Sequence, residues 1–426
     1  MSAFDKVIGY ETIKKELFQI CDMIHNPEIY ERLGAEFPKG ILLYGDPGLG
    51  KTLMAKCFIE ESGLKSYVLR RNKGTDDFVQ EITNTFQLAK ENAPAIIFLD
   101  DLDKFANEDD NHRDAQEYVA IQTGIDDVHD ADVFVIGTVN RIRKLPSSLV
   151  RAGRFDRRLE VNKPSVNDSR KIIKHFLETK RISEEIDMED VSMMIRYKSC
   201  AELESIINEA AISAGFAKKD FISMEDLIQS VLRKEYESSD DEDSLGDEDL
   251  KKIALHEAGH LVISEIICPG SVGFASVGGK TGRANEGFVR RCKELSRRTQ
   301  HILISLGGKA AVELYHSDIC ASGCQADIES AYVEIRTAVS ESGIRGLSMI
   351  EVEHPQFPCV SESKSSRTEA VVHAELERYM FLVRDILIKN RVFLEKTAEL
   401  LFIKKRLLYS DVQALRKSVN IIEIAI

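Results

Sequence analysis

The chain has no tryptophan, no C-x-x-C cysteine pair, no excess of positive charge and no long apolar run. Each absence narrows the field. A membrane-crossing helix needs roughly 20 consecutive apolar residues, and the best stretches here, such as Ala95–Leu99, are the length of buried strands. Direct membrane insertion is therefore not expected. The net charge is −14, which argues against nonspecific nucleic-acid binding, because that task needs clustered positive charge. Met1–Tyr10 has neither a basic start nor an apolar core, so it does not read as a targeting segment. The eight cysteines, at 21, 57, 200, 268, 292, 320, 324 and 359, are scattered. They read as reduced thiols of a cytoplasmic protein. Cys320 and Cys324 keep a second reading, since their spacing also suits a metal. The composition is globular, and 426 residues allow roughly two to three domains.

His256-Glu257-Ala258-Gly259-His260 falls within Lys251–Ile263, a run that reads as helix. Residues four apart lie on one helix face, one turn apart, so the two imidazoles can share a metal ion. Glu257 lies beside them, placed to take a proton from water that the metal has acidified. Two histidines, a third protein ligand and an open water position make the catalytic form of a zinc site. Zinc brings the pKa of its water to about 7. The pattern has only three fixed positions, so a helix with two ordinary histidines is the other reading.

Ile41-Leu42-Leu43-Tyr44 is a short apolar run typical of a buried parallel strand. It leads into Gly45-Asp46-Pro47-Gly48-Leu49-Gly50-Lys51-Thr52, the G-x-x-x-x-G-K-T phosphate loop, between a strand and a helix as that motif requires. The glycines let backbone N–H groups wrap phosphates, Lys51 reaches the β and γ phosphates of ATP, and Thr52 offers its hydroxyl to Mg2+. A second buried strand, Ala95–Leu99, ends in Asp100-Asp101. Asp100 is placed to hold Mg2+ through water, and Asp101 to orient the attacking water. A third strand, Val133–Val139, ends at Asn140. Its amide can sense the γ-phosphate; a strand-end turn residue is the other reading.

With Asn140-Arg141 and Gly153-Arg154-Phe155-Asp156-Arg157, the chain resembles the AAA+ ATPases. The resemblance implies that Arg154 and Arg157 are arginine fingers acting on the nucleotide of a neighbouring subunit, in a ring that is usually a hexamer. Such fingers are worth about 10³–10⁵ in rate in related systems. Residues 166–233, charged and helical in period, resemble the module's helical lid, with Cys200-Ala201-Glu202-Leu203 where the family usually has Gly-Ala-Asp-Leu. Glu235–Asp249 is acidic and almost devoid of apolar residues, and reads as a flexible linker.

The second half extends the resemblance. Ile302–Leu314 reads as a buried helix with a glycine kink, and a helical pattern starts at Asp327. An AAA+ module, then His-Glu-Ala-Gly-His, then Gly307-Gly308-Lys309-Ala310-Ala311, then Ala326-Asp327-Ile328 is similar in order and spacing to FtsH, the ATP-dependent zinc metalloproteases. The resemblance runs from about residue 8 to the end and implies that Asp327 completes the zinc set with His256 and His260. The expected architecture is an α/β AAA+ module at 1–165, its helical lid at 166–233, an acidic linker at 234–250, and a mainly α-helical zinc metallopeptidase domain at 251–426. The expected activity is ATP-dependent zinc endopeptidase action on protein substrates in a homo-hexamer, with Zn2+, ATP and Mg2+. The alternatives are an AAA+ remodeller or scaffold without processive proteolysis, and a zinc peptidase for unfolded peptides with a regulatory ATPase.

Four departures from FtsH bear on these expectations. The chain starts at the ATPase module, without the family's usual membrane helices. The family's aromatic-Val-Gly pore loop corresponds to Lys73–Phe78, where no aromatic stands at the matching place and Phe78 or Tyr67 would have to substitute. A polar loop grips polypeptide weakly. Asp101 replaces a glutamate one methylene longer, which slackens water positioning. Val272–Val289 is glycine-rich and lacks the family's Pro-Arg-Gly, in a region where the family lines its cleft with a substrate-pairing strand.

Overall fold

The computed structural model describes residues 2–71, 74–106, 115–151, 153–236, 246–278, 288–291, 297–316, 324–346 and 362–423. They fall into two compact units, one of Met1–Arg181 with Tyr197–Glu209, the other of Ile182–Arg196 with Ala210–Ile426.

The first unit is built on a five-stranded sheet. Its strands are β1 (Gly40–Tyr44), β2 (Lys65–Leu69), β3 (Ala95–Leu99), β4 (Val133–Val139) and β5 (Arg157–Glu160), in the spatial order β2-β3-β4-β1-β5. Every pairing is parallel. The three inner strands are buried on both faces, which is why they read as continuous apolar runs. The edge strands β2 and β5 carry Lys65 and Arg157-Arg158 and have no such run to announce them. Helices α1 (Glu11–His25), α2 (Pro27–Arg32), α3 (Lys51–Ser62), α4 (Thr75–Glu91) and α5 (Ala115–Asp127) complete the α/β body. Alternate strand residues feed opposite cores: Ile41, Leu43, Ile96 and Phe98 join Phe58 in one, and Leu42, Ile97 and Leu99 join Phe78 and Phe105 in the other.

The stretch expected to be helical contains α6 (Val166–Glu178), α7 (Met188–Met194), α8 (Cys200–Phe216) and α9 (Met224–Tyr236). The unit division cuts through it: α6 and the start of α8 group with the sheet, while α7, the end of α8 and α9 belong to the second unit. A specific contact ties α7 into that unit. Asp190, 4% exposed, accepts from the backbone N–H of Ser410 at 2.8 Å and from its hydroxyl at 2.7 Å. Of the expected linker, Lys234–Tyr236 close α9 and Asp247–Leu250 open the next helix, while 237–245 lie outside the described residues.

The second unit is mainly helical. It contains α10 (Asp247–Ile267), α11 (Arg298–Tyr315), α12 (Gln325–Ser340), α13 (Glu362–Lys389), α14 (Arg391–Lys404) and α15 (Tyr409–Ser418). An antiparallel sheet of order β7-β6-β8 joins them, made of β6 (Val272–Ser276), β7 (Phe288–Arg291) and β8 (Arg406–Leu408). Asp247, Glu248 and Asp249 occupy the first turn of α10, where acidic groups complement the helix dipole. Beyond that turn α10 becomes the centre of the core: Ala254, Ala258, Leu261, Val262 and Ile263 pack with residues of α11, α13 and α14. Glu265, fully buried, accepts from the N–H groups of Gly270 and Val272, each at 2.8 Å, and pairs with Arg416 at 3.1 Å. Those bonds offset its desolvation and fix the turn from α10 into β6. Among the described residues no helix is long and apolar enough to cross a membrane.

Candidate active sites: a metal centre and a nucleotide site

In the second unit, α10 and α11 approach at two glycines. A Cβ on Gly259 would overlap the Gly307 carbonyl, and one on Gly307 would lie 2.8 Å from the Gly259 carbonyl oxygen. Only hydrogen at both positions permits this approach. It sets Gly308 against the imidazoles: a Cβ there would stand 2.5 Å from His256 Cε1, His256 Nε2 and His260 Nε2. The helix around these glycines runs unbroken from Arg298 to Tyr315.

His256 and His260 lie one turn apart on α10, and Asp327 reaches them from the first turn of α12. The Nε2 atoms are 3.0 Å apart, and each is 3.1 Å from Asp327 Oδ2. Tetrahedral zinc with bonds of about 2.0–2.2 Å spaces its donors by roughly 3.3–3.5 Å. The triangle fits such an ion after small outward shifts. His260 Nδ1 lies 2.7 Å from the Ile304 carbonyl, so that nitrogen keeps its proton and Nε2 is the one a metal would take. The helix cap at Cys324 involves no side-chain bond, and Asp327 spends its carboxylate on the imidazoles rather than on capping.

The electrostatics favour positive charge at this point. Burial pulls the His260 pKa down, but the hydrogen bond and charge of Asp327, with the nearby Glu257 charge, outweigh it and push the group up to about 9. Burial would raise Asp327, yet hydrogen bonds from His256 and His260 hold it well below the usual carboxylate range. Glu257 is itself 4% exposed, next to both ligands on α10. Among the described residues this trio is the one cluster of His, Cys, Asp and Glu able to hold a metal. Its donor set, two imidazoles and a carboxylate, is that of a catalytic zinc site.

In the first unit, the phosphate loop leaves β1 and enters α3 at Lys51. Gly45, Gly48 and Gly50 have φ of 147°, 77° and 88°, which favour glycine. The loop wraps Lys51, whose Nζ donates to the carbonyls of Gly45 and Asp46, each at 2.7 Å, and to Asn140 Oδ1 at 2.9 Å. Burial lowers the Lys51 pKa, and the charges of Asp101, Asp103, Asp46 and Asp100 oppose that shift. Leu49 is buried in the core, and Asp46, Pro47 and Gly48 form the arch.

The structure gathers Thr52, Asp100, Asp101 and Asn140 around that lysine. Thr52 Oγ1 donates to Asp100 Oδ1 at 2.9 Å, and the buried Thr138 hydroxyl donates to the same oxygen at 2.8 Å. Asp101, in the left-handed region at φ 56°, pairs with Lys104 at 2.6 Å. Its Oδ1 faces Asn140 Nδ2 at 3.4 Å. Thr138 and Asp103, which accepts from the Asn140 backbone N–H at 3.2 Å, are supporting residues that the sequence pattern does not single out.

The two arginines differ. Arg154 is 4% exposed and binds Asp126 in two-point fashion, at 2.9 and 2.7 Å, with a third bond at 2.5 Å to the Ser148 carbonyl. The hydrogen bonds from Arg154 to Asp126, with the Arg154 charge, hold the Asp126 carboxyl below its ordinary value. Arg157 opens the edge strand β5 with its side chain 49% exposed, 3.9 Å from Glu16. The two aromatic residues weighed as pore-loop substitutes are both in the body of the fold. Phe78 is fully buried, edge-on to Phe105 with ring centroids 5.1 Å apart, and Tyr67 lies within β2. Neither projects as a gripping side chain; helical period places Phe78 on the inward face of α4. Lys73 lies outside the described residues.

Residues 41–163 match the family model described as ATPase family associated with various cellular activities (AAA). Along most of its length the chain is similar to proteins named ATP-dependent zinc metalloprotease FtsH. That of Ureaplasma parvum serovar 3 is 28% identical over 92% of this chain and 57% of its own length. That of Streptobacillus moniliformis is 29% identical over 99% and 65%. That of Methylococcus capsulatus is 30% identical over 96% and 69%. The chain thus spans from just over half to about two thirds of the length of these relatives.

Proposed function

The chain belongs to the FtsH family, and from that premise we propose that it is an ATP-dependent zinc endopeptidase that degrades protein substrates in a ring. The observation that carries the reading is the meeting of His256, His260 and Asp327 on one point beside the buried Glu257, in a chain that also folds a complete phosphate loop. Zn2+ bound there supplies a Lewis acid for the scissile carbonyl and for water. The protein supplies the rest. His256, His260 and Asp327 hold the ion, and the Ile304 carbonyl fixes the His260 tautomer. Glu257 takes the proton of the attacking water and later gives it to the leaving amine. In the first unit, Lys51 and the loop N–H groups bind the phosphates of ATP, Thr52 binds Mg2+, and Asp100 holds it through water. Asp101 orients the attacking water and Asn140 senses the γ-phosphate.

A homo-hexamer is the proposed assembly, with protein substrates as partners. Arg157, exposed and loosely paired, suits the role of a finger reaching the neighbouring subunit's nucleotide. Arg154 would have to leave Asp126 to do the same. A second reading, a peptidase for already unfolded chains with ATP regulating the ring, gains support from the burial of Phe78. Glu257→Gln tests the chemistry: zinc should stay bound at one per chain while proteolysis disappears. Surviving proteolysis would remove Glu257 as the base.

A further inference from the structure

The geometry points to Cys324 as a positioning residue for His256: its sulfur holds the imidazole by the Nδ1 edge while Nε2 faces the metal. The inference rests on the metal-centre reading above. Cys324 Sγ lies 3.8 Å from His256 Nδ1, within reach of a weak hydrogen bond to sulfur. The side chain is 7% exposed and sits at the N-cap of α12, three residues before Asp327. One helix start therefore delivers a ligand and the support of a second ligand. Gly308 supplies an independent constraint, since its Cα hydrogens leave room for the ring's Cε1–Nε2 edge and nothing larger. The imidazole is seated between the backbone of α11 and the sulfur.

The chemistry follows from which nitrogen does what. An imidazole that ligates through Nε2 carries its proton on Nδ1, and the acceptor of that proton fixes the ring and tunes the ligand. At His260 the acceptor is a carbonyl, at 2.7 Å. At His256 the Nδ1 proton is directed toward sulfur, a softer and weaker acceptor. The two ligand imidazoles thus meet different acceptors, a carbonyl oxygen at His260 and a sulfur at His256. This also changes the meaning of the cysteine. Cys324 stands behind a ligand, at the ring edge turned away from the metal position, and is not itself a fourth ligand.

The test uses the whole 426-residue chain with Cys324→Ala, Cys324→Val and Cys324→Ser. Zinc affinity is measured by competition with a chelator of known affinity, and thermal stability is measured on each metal-stripped protein. Removing the acceptor should weaken zinc about 10–100-fold in the Ala and Val proteins. Serine, which keeps an acceptor, should restore affinity to within a few-fold of the parent. Ala and Val proteins that bind zinc like the parent would overturn the inference. So would equal losses in all three variants that track the loss of stability, because that pattern belongs to packing alone. A parent that takes up no zinc, or a His256→Ala protein that keeps it, would overturn the metal-centre reading and this inference with it.

Discussion

Gly308→Ala should empty the metal centre without touching any of its ligands. The added Cβ would lie 2.5 Å from three imidazole atoms, where ordinary contact begins at 3.4 Å, so about 0.9 Å must be found. Neither side yields easily. His260 is tied to the Ile304 carbonyl and His256 rests against Cys324. Helix α11 cannot back away without opening its backbone contact at Gly259 and Gly307. A shift near 0.9 Å is nearly half of a zinc–nitrogen bond of about 2.0–2.1 Å. We expect zinc affinity to fall by at least about 100-fold, with an overpacking cost of about 1–3 kcal/mol in stability. Elemental analysis after gel filtration, followed by chelator competition, reads the first; thermal melting reads the second. Gly215→Ala is the control, because its Cβ meets nothing within 4 Å. A Gly308→Ala protein with one zinc per chain at parental affinity would refute the packing argument.

Three further perturbations separate roles that the sequence left merged. Arg154→Ala should lower stability by about 1–2 kcal/mol, reduced from the buried-pair range because the Asp126 side chain is 55% exposed. Because Arg154 depresses the Asp126 pKa, that contribution is present above the usual carboxylate range and is lost as pH falls through the lowered native value. The melting difference from the parent should shrink below about pH 4, and a difference that grew with acid would contradict the assignment. Arg157→Ala should melt like the parent yet lose most ATP turnover; normal turnover would remove it as a finger. Phe78→Ala should cost about 3–5 kcal/mol in denaturant unfolding, as for any large core aromatic. Parental stability with impaired substrate capture would return Phe78 to the pore.

What could be read from the sequence followed the strength of its local rules. The inner strands Ala95–Leu99 and Val133–Val139 were legible because strands buried on both faces leave nothing but apolar residues. The phosphate loop and the two histidines were legible because their chemistry imposes fixed spacings. The edge strands β2 and β5 were not, since half-exposed strands of four or five residues carry little pattern. The burial of Arg154 escaped because it depends on Asp126, 28 residues earlier and visible only once β4 and α5 are placed. Gly307-Gly308 stood in plain view as a double glycine in an apolar helix, which normally costs stability and so signals a packing reason. The pattern suggested a kink; the reason is the close approach to Gly259 and the room made for the imidazoles. Ile304 carries no motif, and the spacing of Cys320 and Cys324 pointed to a metal ligand, not to a residue behind one; only three-dimensional placement sets Ile304 and Cys324 against the ligand imidazoles.

The proposed function requires that one chain couple ATP to zinc-dependent proteolysis. The most direct measurement is the degradation of a labelled, permanently unfolded protein by the purified chain, with and without ATP, using the Glu257→Gln protein as the blank. Coupling requires loss of substrate with ATP and Mg2+, none above the blank without nucleotide, and none in the blank. Equal rates with and without ATP would contradict the coupling, and an intact substrate with zinc bound and ATP hydrolysed would contradict the protease.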